Sequence, residues 1–99
     1  MCPYQLRIGN LTIDPACIEY VVISSTGPVN FGLLALEEEG RRLEGALRSL
    51  EKEPGMKFFA QDDMQSTTGH CNVKVKNVEK DETKAPVRYR IHASLERLR

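Results

Sequence analysis

One stretch of this chain repeats its apolar residues at helical spacing, and almost everything else alternates at strand spacing. Val29, Leu33, Leu36, Gly40, Leu43, Leu47 and Leu50 follow one another at intervals of four and three. At 3.6 residues per turn they form one stripe roughly 100° wide, enough to dock a helix on a sheet. The spacing predicts a helix from about residues 28–30 to about 52, stopped by Pro54-Gly55. Glu37 and Arg41, Glu38 and Arg42, and Glu44 and Arg48 are i,i+4 pairs in the favourable order, each contributing about 0.2–0.5 kcal/mol. Gly40 lies on the stripe, which points to a close approach of helix and sheet. Gly45 has no such reason.

The other segments read as strands. Tyr4, Leu6 and Ile8 alternate with Gln5 and Arg7, and Gly9-Asn10 suits a two-residue hairpin loop leading into residues 11–13. Residues 17–24 (CIEYVVIS) form a third strand, with Ile18, Tyr20 and Val22 on one face and Cys17, Val21 and Ile23 on the other. A strand apolar on both faces is usually covered on both. Residues 56–61 make a short strand and 62–69 a polar loop. In 70–78, Cys71, Val73 and Val75 oppose Asn72, Lys74 and Lys76; after a solvated loop, 87–95 turns Val87, Tyr89, Ile91, Ala93 and Leu95 inward and Arg88, Arg90, His92 and Ser94 outward. The order β-β-β-α-β-β-β predicts an α+β fold: an antiparallel sheet of five or six strands with one long helix packed on one face. At 99 residues, a single domain over 1–99 is expected.

Gly27 and Gly32 stand five apart, after an apolar strand and before the helical pattern. This is the glycine spacing of a phosphate-cradling P-loop. The Lys and Ser/Thr that carry that chemistry are replaced by Leu33-Leu34, and a single helix among many strands offers no βαβ frame. The expected role is therefore a strand-to-helix turn, with Thr26 or Asn30 as cap and Pro28 in the first helical turn.

Charge is uneven although the formal net charge is zero: residues 70–99 carry eight Lys/Arg against four acids, and residues 37–63 five against eight. Pairing Val75 with Tyr89 and Val73 with Ile91 would set Lys76 against Arg88 and Lys74 against Arg90, a basic strand face with His92 beside it. Lys74, Lys76, Arg88, Arg90 and His92 are thus the candidate site for an acidic protein partner or a phosphate-bearing ligand. Nucleic acid is the weaker form of that reading, because no aromatic residue interleaves the outward bases as a stacking platform.

Asp62, Asp63, His70 and Cys71 lie close in sequence without matching a metal-ligand spacing, and no Cys–His or Ser–His motif is local. No metal site, no cofactor and no catalytic residues are assigned, although a small-molecule pocket, with or without catalysis, between helix and sheet near Tyr20 and Tyr89 is an alternative. Cys2, Cys17 and Cys71 show no pairing pattern, and neither a secretory leader nor an apolar run of about 20 residues is visible. A cytoplasmic protein without membrane contact is expected. With one helix covering one sheet face, Val21, Ile23, Phe31, Leu34 and Phe59 are expected to remain uncovered and to mark an association surface, most simply of a homodimer. The expected function is non-enzymatic self-association and protein binding.

Overall fold

The first third of the helical stripe is a strand. In the structure, a computed structural model that describes residues 3–98, residues 29–36 are extended and the helix begins at Glu37. Val29, Phe31, Leu33 and Ala35 alternate with Asn30, Gly32 and Leu34, so the same residues satisfy period two as well as period 3.6. Extended, the segment hydrogen-bonds to a strand on each side. The helix starts where three acids, Glu37, Glu38 and Glu39, fill its first turn and suit the positive end of the helix dipole. Lys80 also pairs with Glu37 at 2.7 Å. Pro28 and Asn30 therefore take no part in starting the helix, and residues 23–28 connect two antiparallel strands.

The elements are β1 (Gln5–Ile8), β2 (Leu11–Thr12), a 3-10 turn (Pro15–Cys17), β3 (Ile18–Val22), β4 (Val29–Leu36), α1 (Glu37–Glu51), β5 (Met56–Gln61), β6 (Ser66–Asp81) and β7 (Arg88–Arg97). They form an α+β fold with a single seven-stranded sheet, order β2-β1-β5-β6-β7-β4-β3, every neighbouring pair antiparallel. The expected class holds, with one strand more than the five or six read from sequence. Gly9 takes φ 58° in the β1–β2 turn, which sets Ile8 opposite Leu11 as the Gly-Asn loop implied.

Helix α1 lies on one face, against β6, β7 and β4. Its Leu43, Leu47 and Leu50 meet Val73, Val75, Ile91, Ala93, Leu95 and the odd-numbered residues of β4 in one buried core. At Gly40 the backbone rests on the sheet: a Cβ there would stand 2.2 Å from Tyr89 Cβ. The close approach read from the stripe is thus real. Beyond the last β5 pair, the Val75 amide has no strand neighbour on that side, and Glu51 at the helix end accepts its hydrogen bond at 2.8 Å.

Val21, Ile23 and Phe31 are buried, at 4%, 8% and 0% exposure, which overturns their expected place on an association surface. Two local causes explain it. A bulge between Ile18 and Tyr20 adds a residue to β3, so Ile18 and Val21 both face the helix while Tyr20 and Val22 face away. Phe31 points to the core because its segment is a strand. Leu34 and Phe59 do lie half-buried on the face away from the helix. They sit on β4 and β5, three strand spacings or roughly 14 Å apart across the sheet, and form no common patch.

The sheet curls around the helix side. The residues just after β3, at one edge, touch the β5–β6 turn four strands away: Asp62 accepts from the Ile23 amide at 3.3 Å, and Gln65 Nε2 donates to the Ile23 carbonyl at 3.2 Å. Asp62 also accepts from the amides of Met64 and Gln65 at 2.9 and 2.8 Å. These bonds, that from Met64 foremost, hold its carboxyl below the usual range. A carboxyl whose folded pKa is lowered stabilises the fold above its unfolded value near 4 and loses that contribution as pH falls through the folded value. Urea unfolding midpoints should therefore fall between pH 5 and the folded-state value, and Asp62→Ala should lower the pH 7 midpoint and flatten this acid-side slope. A variant with the wild-type slope would show that the latch carries no such linkage.

Candidate functional site on the open face of the sheet

Among the described residues no element covers the face turned away from the helix, and alternation decides which side chains it presents. From β3 it receives Glu19, Tyr20 and Val22; from β4, Asn30, Gly32 and Leu34; from β7, Arg88, Arg90, His92, Ser94 and Glu96; from β6, Lys74, Lys76, Asn77, Glu79 and Asp81. All five residues expected to bind an anion or acidic partner lie on it.

Their pairing differs from expectation. Val73 stands opposite Leu95 and Val75 opposite Ala93, rather than Ile91 and Tyr89. Strand β6 runs on to Asp81, which shortens the loop and slides the register, and a bulge at Lys76 shifts the alternation. Arg90 then faces Glu79 and pairs with Glu19 at 3.0 Å, while Arg88 faces Asp81. The like-charge ladder expected here does not exist. Arg88 and Arg90 instead flank a shallow depression of about 90 Å³, lined also by Leu34, Glu79, Asp81 and Lys84, in which acids are interleaved with the bases.

Lys74, Lys76 and His92 belong to a different group in the middle of the face. Lys74 stands opposite Ser94, which stands opposite Asn30 on the far side. In the next row Asn77 faces His92 and His92 faces Gly32, which faces Tyr20. Lys76 Nζ donates to Asn30 Oδ1 at 2.8 Å. Since β7 lies between β6 and β4, the Lys76 side chain must cross β7 beside Ser94. Ser94 is 1% exposed although nothing but side chains covers this face, and its hydroxyl has no hydrogen-bond partner. An unpaired buried hydroxyl costs about 1–3 kcal/mol. Among the described residues Lys74 and Lys76 make no ion pair.

Tyr20 closes the group. Its hydroxyl lies 3.0 Å from His92 Nδ1, with ring centroids 5.9 Å apart. Burial, with the Glu19 carboxylate, pushes the Tyr20 phenol up. Gly32 makes room for this arrangement: a Cβ there would lie 2.3 Å from Tyr20 Cε1. The second glycine of the P-loop-like spacing thus seats an aromatic ring.

Sequence reasoning missed Tyr20, Asn30 and Ser94 as members of the group. Asn30 was hidden by its place in the supposed helix, and only the bulge in β3 brings Tyr20 beside His92. Tyr20 faces away from the helix and Tyr89 toward it, so the two cannot line one cavity between helix and sheet. His70 is exposed while Cys71 is buried on the helix side, and among the described residues no three His, Cys, Asp or Glu side chains converge. Burial raises the Cys71 thiol to about 11 and also pushes Cys17 up, which leaves neither as a thiolate nucleophile at neutral pH. No helix among the described residues is long and apolar enough to cross a membrane. Comparison with known protein families, curated proteins and solved structures finds no match for this chain.

Proposed function

We propose that this protein is a non-enzymatic binding module that receives an anionic group of a partner protein on the open face of its sheet, over Lys74, Lys76 and His92. One observation carries the reading: two lysines without acidic partners flank a buried, unpaired serine hydroxyl at the centre of an uncovered face. Buried polar groups are normally satisfied, and a functional site is one of the few places where they are not. A cytoplasmic setting accompanies the proposal, in keeping with the free thiols Cys17 and Cys71.

A hexaglutamate peptide labelled for fluorescence anisotropy is a direct probe. Its affinity should fall as salt rises, drop at least severalfold in a Lys74→Ala/Lys76→Ala double variant, and hold in Arg90→Ala, whose charge Glu19 already pairs at 3.0 Å. Binding lost equally in both variants would remove the central cluster as the site. Nucleic acid fits less well, because Glu19, Glu79, Asp81 and Glu96 share the face and would repel an extended polyanion. A homodimer loses its first support with the burial of Val21, Ile23 and Phe31. Light scattering at about 100 µM, above the micromolar range of ordinary interfaces, should therefore report the monomer mass.

A further inference from the structure

We infer that the anionic group is a phosphate monoester on a phosphorylated segment of the partner protein; the inference rests on the binding reading above and specifies its ligand. Charge and donor count carry it. Lys74 and Lys76 supply two positive charges with no acid paired to them among the described residues. A phosphate monoester brings close to two negative charges and three acceptor oxygens, where a carboxylate brings one charge and two oxygens. The Ser94 hydroxyl is a third donor, held between the strands that carry Lys74 and Asn30. When Lys76 swings from Asn30 Oδ1 to the phosphate, it uncovers this hydroxyl and frees the Asn30 side chain.

The surroundings limit what bears the phosphate. Acids border the cluster along the strands, Glu96 on one side and Glu79 on the other, so a single compact dianion fits where a chain of phosphates does not. The cluster lies on the outside of a curled sheet, away from the depressions at Leu34–Arg88 and at Tyr4–Phe59. A free phosphate would find little further contact there. A polypeptide running toward β3 would cover the Tyr20 ring and Val22, which is 54% exposed.

The test is an NMR titration of the full chain, following the amides of Lys74, Lys76, His92 and Ser94, with a phosphoserine pentapeptide, its unphosphorylated form, inorganic phosphate and hexaglutamate. Saturable shifts at these amides with the phosphopeptide, absent without the phosphate and abolished in Lys74→Ala/Lys76→Ala, are the expected result. Ser94→Ala removes an unpaired hydroxyl, so it should fold as the wild type does while binding the phosphopeptide about tenfold more weakly. Hexaglutamate binding without phosphopeptide binding overturns the inference and leaves the anion-binding reading standing; binding of neither removes both. Inorganic phosphate binding as tightly as the phosphopeptide overturns the polypeptide source.

Discussion

Replacing Phe31 by alanine is expected to destabilise the protein by about 3–5 kcal/mol, the largest effect of any single change considered for this fold. Phe31 is 0% exposed and sits on β4 between Val21 of β3 and Ala93 of β7, facing the helix-side core. Its removal takes away the apolar transfer energy of a benzyl group and leaves a cavity that strands bonded on both sides cannot collapse to fill. A domain of this size holds about 5–15 kcal/mol in all. The variant should therefore unfold some 15–30 °C below the wild type. Val22→Ala supplies the contrast, since Val22 points to the open face and is 54% exposed; its effect should stay near 0.5 kcal/mol. Had residues 29–36 been the start of the helix, Phe31 would have pointed off the apolar stripe and its loss would have been mild. Thermal denaturation of the two variants thus tests the strand assignment, and equal melting temperatures would refute it.

That segment also marks where the sequence stops being legible. Residues 37–51 read as helix because Leu43, Leu47 and Leu50 fit no other period and charged pairs line the opposite side. Residues 29–36 fit two periods at once. The choice between them is made by pairing with β3 and β7, partners distant in sequence that no local pattern announces. Of the three i,i+4 pairs expected on the helix, Glu37–Arg41 and Glu44–Arg48 form, while Arg42 turns to Glu39.

The binding face was half legible for the same reason. Strict alternation in 70–76 and 88–94 places Lys74, Lys76, Arg88, Arg90 and His92 outward, and all five are outward. Which of them keep an uncompensated charge depends on register, and register here turns on the bulges at Glu19 and Lys76. Each inserts one residue, and neither carries the glycine that would signal it. The bulge at Glu19 brings Glu19 to Arg90 and Tyr20 to His92. The bulge and long hairpin of β6 bring Glu79 and Asp81 opposite Arg90 and Arg88. A uniformly basic strand face thereby becomes an end where acids interleave with the arginines and a centre whose lysines have no ion pair among the described residues.

The two glycines of the helix should answer the same substitution with opposite signs. Gly45 is exposed, and a Cβ added to it meets nothing within 4 Å. Gly45→Ala removes the entropic penalty of glycine in a helix interior and should stabilise by about 1 kcal/mol. Gly40→Ala gains the same propensity but places its methyl 2.2 Å from Tyr89 Cβ and 2.6 Å from Cγ. The Cβ is fixed to the backbone of a strand paired on both sides, so no rotamer change of Tyr89 relieves that overlap. The helix must lift instead, and the leucine contacts at 43, 47 and 50 loosen with it. A net loss of about 1–3 kcal/mol is expected for this overpacking. Urea midpoints of the two variants should therefore straddle the wild type. A stabilised Gly40→Ala would mean that the helix stands off the sheet at Tyr89. Gly40 would then lose its reason, and the approach that fixes the helix over β6 and β7 would have to be made elsewhere.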